Sequence, residues 1–258
     1  MVTDNAKLER EREFHDRRFA SDSERQQKVG KFYQIINSIQ QEKEKILFNS
    51  APGAKVIEYG CGTGSYAFKL AKHGATSVTG IDISPVAIEQ AIAKAEAQGV
   101  AAQTSFQVMN AENLELRANS YDLICGSGIL HHLDLDLAIN SITKVLKPNG
   151  KAVFLEPLGH NILINLYRRL TPSIRSADEH PLLDQDLAFL RQHFQHANIQ
   201  YFYFTSLAAS FMVGKPGFST VLKFLELVDT ALLKLPLIKK QAWLVLIELS
   251  QPIPKDKG

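Results

Sequence analysis

Val56-Ile-Glu-Tyr-Gly-Cys-Gly-Thr-Gly64 is the stretch that decides the fold. It reads as a short buried strand with an acid, Glu58, near its end and glycines at positions 60, 62 and 64. Glycine lets the backbone turn sharply and pass close to a ligand with no Cβ in the way. A helix pattern follows at once, with Tyr66, Phe68, Leu70 and Ala71 set among Lys69 and Lys72. A strand running through such a turn into a helix N-terminus is the nucleotide-handling corner of a doubly wound α/β sheet.

Two registers fit the glycines. Gly62-Thr-Gly-Ser-Tyr-Ala67 satisfies G-x-G-x-x-A, which suits a dinucleotide such as NAD. That register leaves Gly60 unexplained and sets Glu58 beside a pyrophosphate, where an anion is unwelcome. The other register, E-x-G-x-G-x-G over Glu58, Gly60, Gly62 and Gly64, resembles motif I of class I S-adenosylmethionine-dependent methyltransferases. That resemblance implies S-adenosylmethionine as cofactor, with Glu58 near its methionine ammonium group.

Downstream, Ser77 to Ile81 reads as a second strand with Asp82 at its end and Ile83 just beyond. Ser84-Pro85 then opens a helix, serine as N-cap and proline in the first turn. An acid about 20 residues past the glycine loop accepts both ribose hydroxyls, so Asp82 marks an adenosine site for either cofactor. Thr104 to Val108 reads as a third strand, followed by Asn110-Ala111-Glu112. This stretch resembles the Asp-Ala-Glu that faces adenine in small-molecule methyltransferases, with an amide in place of the first acid. Ser120 to Cys125 reads as a fourth strand, leading to Gly126 and Leu130-His-His-Leu133. An amphipathic helix, the turn signal Lys147-Pro-Asn-Gly150 and a fifth strand ending at Glu156-Pro157 complete the run. Together these motifs are similar to the methyltransferase group that includes ubiquinone-pathway enzymes, over about residues 54 to 158.

The implied fold is a Rossmann-like, seven-stranded, mostly parallel sheet with helices on both faces and an antiparallel last strand. One domain is expected across residues 1–258, in four stretches. These are an N-terminal arm and helix (1–50), a cofactor-binding core (54–158), substrate-side segments with an insertion (159–241) and a final strand (242–250). The charged stretch 7–25 reads either as a solvated arm or as a cover for the cofactor, with Arg17 or Arg18 meeting its carboxylate. Val29, Phe32, Tyr33, Ile36 and Ile39 form a helical stripe suited to packing beside the sheet.

Composition excludes several classes. The chain has 258 residues, 45% of them hydrophobic, and a net charge of +2 with no arginine-aromatic stripe, which argues against nucleic acid. The polar start and the lack of a long apolar run point to a cytoplasmic protein. Cys61 and Cys125 cannot build a four-thiolate zinc site and read as reduced packing residues, and no aspartate cluster offers a Mg2+ site, so no metal is expected.

Substrate choice belongs after Pro157. Residues 205 to 241 are rich in large apolar side chains and must cover something. A lid over an apolar substrate is the first reading, a homodimer contact the second, and a membrane-surface contact the third, kept open by lysines 215, 223, 234, 239 and 240. The expected chemistry is in-line methyl transfer to a small, partly apolar metabolite, at oxygen with a histidine base or at an activated carbon. His160, just past the fifth strand, is the first candidate base, followed by His131 and His132. Glu156, Tyr167, Arg168 and His180 are candidate substrate contacts. The remaining alternatives are an NAD-dependent oxidoreductase and a non-catalytic S-adenosylmethionine-binding protein.

Overall fold

The computed structural model describes residues 5–20, 30, 33–176 and 178–253. Val29 and Phe32 of the proposed stripe lie outside the described residues, as do residues 21–25 of the charged arm.

Seven strands form one sheet: β1 Lys55–Tyr59, β2 Ser77–Asp82, β3 Thr104–Val108, β4 Tyr121–Ser127, β5 Leu146–Pro157, β6 Phe194–Phe202 and β7 Leu244–Pro252. Their order is β3-β2-β1-β4-β5-β7-β6. The first five pair in parallel, and β7 runs antiparallel between β5 and β6. The chain reverses its direction of winding between β1 and β4, and the crevice at their carboxyl ends is where ligands bind in such sheets.

Alternation along the central strands explains the two-faced core. Ile57, Tyr59, Ile124 and Phe154 point to one face, against α5 Leu135–Val145 and α7 Asp184–Gln192. Val56, Leu123, Cys125 and Val153 point to the other, against α2 Asn37–Ser50 and α3 Ser65–Lys72. Strands buried on both faces read as nearly continuous apolar runs, which is why they were legible. Caps set the helix starts. The Ser84 hydroxyl accepts from Ala87 N at 3.1 Å to open α4 Pro85–Ala97, and Asp134 does the same for α5 with Leu137 N.

Three boundaries differ from the sequence reading. Lys147–Gly150 is not a free turn: β5 begins at Leu146, and the four residues form an irregularity between the Tyr121 and Leu123 pairings. β6 begins at Phe194 rather than Asn198, because α7 stops at Gln192 and Phe194 pairs with Pro252. β7 runs two residues later than expected, to Pro252.

The apolar segment 205–241 contributes no residue to the cavity at the carboxyl end of β1 or to the one adjoining it. Its α8, Phe218–Leu232, joins Leu207 and Ala209 on the sheet face that carries Ile35 and Ile39. The buried Asp229 carboxylate fixes it there, accepting from the amides of Phe204, Thr205 and Ser206 and from the Thr205 and Ser206 hydroxyls. Phe211, Phe224 and Leu227 remain exposed. No helix among the described residues is long and apolar enough to cross a membrane.

Candidate active site

The glycine corner bounds a cavity of about 340 Å³ at the carboxyl end of β1. Gly60 and Gly62 both have positive φ, 68° and 50°. A Cβ on Gly60 would fall 2.9 Å from Ile129, and one on Gly62 would fall 3.1 Å from Phe19. The loop is therefore held open to a ligand by the absence of side chains. Glu58, 5% exposed, turns back onto the start of α3 and accepts from Tyr66 N at 3.2 Å and Ala67 N at 2.7 Å. The first amides of that helix, the group that would cradle a phosphate, are thus already paired with an anion. Asp82 accepts from Gly62 N at 2.8 Å and Ser84 N at 3.0 Å, tying the loop to the start of α4. Ile83, Asn110, Ala111 and Gly126 line the same cavity. The Asn110 side-chain oxygen accepts from Glu112 N at 2.9 Å, and the Ala111 carbonyl accepts from the Tyr59 hydroxyl. Eight of the nine cofactor candidates thus line one cavity; the ninth, Gly64, does not, and sits instead at the N-cap of α3 with φ 81°.

Lys43 was missed. It is 1% exposed and enters the cavity from α2, donating to the Gly126 carbonyl at 3.0 Å and to the Ser127 hydroxyl. Its ammonium also lies 4.0 Å from the Tyr66 ring centroid. Burial lowers the Lys43 pKa and raises that of Glu58, each opposed by the other's charge. The signal was present: Ile39, Lys43 and Leu47 follow one another at i+4, so the lysine falls on the buried stripe. Its neighbours Glu42, Glu44 and Lys45 hid it in what reads as a charged run.

The N-terminal arm covers this cavity. α1, Asn5–Ala20, places Lys7, Glu11, His15, Arg18 and Phe19 along its wall. Glu11 is buried; its Oε2 lies 3.0 Å from His132 Nδ1 and 3.6 Å from His15 Nε2, and its Oε1 accepts from the Ser176 hydroxyl. Burial pulls the Glu11 carboxyl upward, but the His132, His15 and Ser176 contacts outweigh it and hold the pKa low. Arg10 grips Asp178 with two bonds of 2.9 Å, Asp16 accepts from Ser84, and Gln90 donates to the Phe19 carbonyl at 3.1 Å. Of the two arginines proposed for the cofactor, Arg18 lines the cavity, whereas Arg17 turns back to the Glu13 carbonyl.

A second cavity of about 320 Å³ adjoins the first. Arg18, Gln40, Ser127, Gly128 and His132 line both and form the throat between them. Tyr33, His131, Tyr167, Arg168, Arg175 and Glu179 lie on the second cavity only. Glu156, fully buried, does not reach either cavity. It accepts from Ile129 N, Leu130 N and, at 2.8 Å, His131 Nδ1, so it orients that imidazole. Burial lowers the His132 pKa, and the neighbouring Glu11 opposes that shift.

Two candidates are displaced. His160 lines neither cavity, and its Nε2 accepts from Asp184 N at 3.2 Å. The cause lies just upstream: Leu158 bridges to Leu182 and Gly159 N donates to the Leu182 carbonyl, which carries the chain away from the throat. His180 is exposed; its amide, not its ring, meets the His131 carbonyl, at 2.8 Å.

Metal-ligand types do converge. Glu11, His15 and His132 bring ligand atoms within 4.8 Å of one another, as do His131, His132 and Glu179. The first set is engaged in the acid–imidazole contacts that fasten α1. Cys61 and Cys125 are buried free thiols, and burial pushes Cys125 up to about 12.

The first cavity fits S-adenosylmethionine and not a dinucleotide. Its helix amides are taken by Glu58, its glycine loop admits a backbone-close ligand, and its acids Glu58 and Asp82 suit a cationic donor with a ribose. The Methyltransferase domain family matches residues 56–150. A ubiquinone/menaquinone biosynthesis C-methyltransferase of Geotalea daltonii is 31% identical over 109 residues, 41% of this chain and 46% of that protein. A ubiquinone biosynthesis O-methyltransferase of Coxiella burnetii is 34% identical over 116 residues, 45% of this chain and 48% of that protein. The chain thus spans about half the length of these relatives. A Haemonchus contortus phosphoethanolamine N-methyltransferase structure shares the fold, with TM-score 0.64 and 18% identity over 94% of this chain and 60% of that one. A geranyl diphosphate C-methyltransferase of Streptomyces coelicolor gives TM-score 0.61 at 10% identity, over 82% and 80% of the two chains. Over residues 56–150 the chain is thus similar to the Methyltransferase domain family, and solved methyltransferases share its fold.

Proposed function

We propose that this protein is a methyltransferase that acts on a hydroxyl of a small, partly apolar metabolite held in the second cavity. The observation that carries the reading is the throat, where a buried imidazole, His132, lines both cavities. S-adenosylmethionine supplies an electrophilic methyl group on a positively charged sulfur. The chain supplies alignment and exclusion of water. Glu58 offers negative charge to the methionine ammonium, and Asp82 accepts from the ribose. Gly128 leaves the throat open, while α1 shields it from solvent. A hydroxyl nucleophile must lose its proton as the O–CH3 bond forms, and His132 Nε2 takes it, with Glu11 steadying the ring from the Nδ1 side. The S–CH3 bonding pair leaves with sulfur, giving neutral S-adenosylhomocysteine.

His131 is the second reading for the base, favoured by its 2.8 Å bond to Glu156, the arrangement in which a carboxylate orients a catalytic imidazole. Methylation at a ring or enol carbon also releases a proton to a base and has similar geometric needs, so it is the alternative at the same throat. Turnover of labelled S-adenosylmethionine with a fractionated metabolite extract tests the reading. His132→Ala is expected to slow the chemical step, measured at saturating S-adenosylmethionine, by roughly 10²–10⁴-fold, the usual worth of a general base. Wild-type turnover in that variant, with the same loss in His131→Ala, would move the role to His131.

A further inference from the structure

The second cavity carries more positive charge than methyl transfer to a neutral alcohol requires. Among the described residues, three guanidinium groups, Arg18, Arg168 and Arg175, line it against a single carboxylate, Glu179. Arg175 meets that carboxylate at 3.0 Å. Arg168 Nη1 donates to uncharged oxygens, the Leu158 carbonyl and Asn165 Oδ1, both at 3.1 Å. The Nε atoms of Arg168 and Arg175 are buried with no hydrogen-bond acceptor among the described residues. Burial, and next the like charge of Arg175, pushes the Arg168 guanidinium down to about 10. Like charges held together out of water are costly unless a counter-charge is supplied. An apolar stretch of wall, Ile36, Leu155, Ile164, Trp243 and Leu244, accompanies the arginines, with Gln40, Ser127 and the two histidines at the throat side.

We propose that the second cavity takes an amphipathic acid, its carboxylate or phosphate head against Arg168 and Arg175 and its apolar body along Ile36, Ile164 and Trp243. The inference rests on the methyltransferase reading, which puts the reacting atom at the Gly128–His132 throat, and adds the substrate's chemical class. The planar guanidinium fork pairs its N–H groups with either kind of oxyanion. A cavity of about 320 Å³ holds a head and a body of moderate length, not a long chain.

The test is calorimetric titration of the protein saturated with S-adenosylhomocysteine, using decanoate, decyl phosphate, decan-1-ol and decylamine. At least one of the two acids is expected to bind roughly tenfold or more tightly than the alcohol, and the amine not at all. The tighter acid identifies carboxylate or phosphate as the head. Arg168→Gln and Arg175→Gln should each bring the acid-to-alcohol ratio within about threefold, with S-adenosylhomocysteine affinity and thermal midpoint retained as the check on folding. Equal binding of acids and alcohol, binding of none of the probes, or a preference that survives in a folded variant would overturn the inference. The preliminary S-adenosylhomocysteine titration separates the two claims. Cofactor binding without acid preference defeats this inference alone, and acid preference without cofactor binding defeats the methyltransferase reading alone.

Discussion

Replacing Asp82 with alanine removes a group that performs two tasks, and the two are separable by measurement. In the structure its carboxylate accepts from Gly62 N at 2.8 Å and Ser84 N at 3.0 Å, and it lines the cofactor cavity. Hydrogen bonds to a charged acceptor are worth about 1.5–3 kcal/mol each. Both amides sit beside a cavity that admits water, so part of that loss is recovered by solvation, and the net cost to folding should be about 1–3 kcal/mol. For the cofactor, losing the acceptor of the ribose hydroxyls costs a further 1–3 kcal/mol or about 5- to 150-fold in Kd. Asp82→Asn sharpens the test. Its carbonyl still accepts from one backbone amide, but its NH2 then faces the other donor, so an isosteric change should recover little affinity. Titration calorimetry with S-adenosylhomocysteine, together with thermal unfolding of the free protein, reads both effects. An unchanged Kd in a folded Asp82→Ala variant would remove Asp82 from the ribose site. A weakened Kd with an unchanged midpoint would show instead that the tie to Gly62 contributes nothing to the fold.

Further expectations follow from the same geometry. Burial raises the Glu58 pKa above its ordinary 4.5, so the folded protein keeps a proton there that the unfolded chain has released. Its contribution to cofactor-free stability is therefore present at acid pH and falls as pH rises from the ordinary value toward the raised one. Affinity for S-adenosylhomocysteine should run the other way, strengthening over that window as the carboxylate forms; a flat profile in wild type, or an undiminished one in Glu58→Gln, would exclude the assignment. Glu11→Gln should loosen α1, seen as faster amide exchange over residues 5–20 and faster cofactor dissociation, whereas unchanged exchange would mean that the arm is held by other contacts. Asp229→Ala strips a buried acceptor from three amides and two hydroxyls, and should cost about 2–4 kcal/mol of stability while leaving cofactor affinity intact. A loss of cofactor binding in the folded variant would instead tie residues 205–241 to the site.

The core of the fold was legible because local chemistry and position agree there. Val56 to Gly64 could only be a strand entering a glycine turn, Ser84-Pro85 is a cap with a fixed φ behind it, and Asp82 falls where a ribose acceptor must. The inward-facing charges were not legible in the same way. Glu11 lies in a run of mixed charge, and only the bound geometry of α1 turns it toward His132 rather than toward water. Lys43 carried a faint signal in its i+4 relation to Ile39 and Leu47, which its charged neighbours obscured. His160 was misplaced for a different reason. A strand's carboxyl end predicts where the chain exits, not where it goes next, and the Leu158–Leu182 bridge bends it toward α7. The packing of segment 205–241 onto the α2 face was not legible on the same ground, since apolar composition calls for a partner surface without naming which one. Arg168 and Tyr167, expected as substrate contacts in the segment after the fifth strand, line the second cavity, while Arg175, equally placed there, gave no sign in a stretch without periodicity.

Titration of the wild-type protein with S-adenosylhomocysteine and, separately, with NAD bears most directly on the glycine corner. Because Glu58 already occupies the α3 amides, the account predicts saturable binding of one S-adenosylhomocysteine per chain and no heat with NAD. Saturable binding of NAD with none of S-adenosylhomocysteine would contradict it.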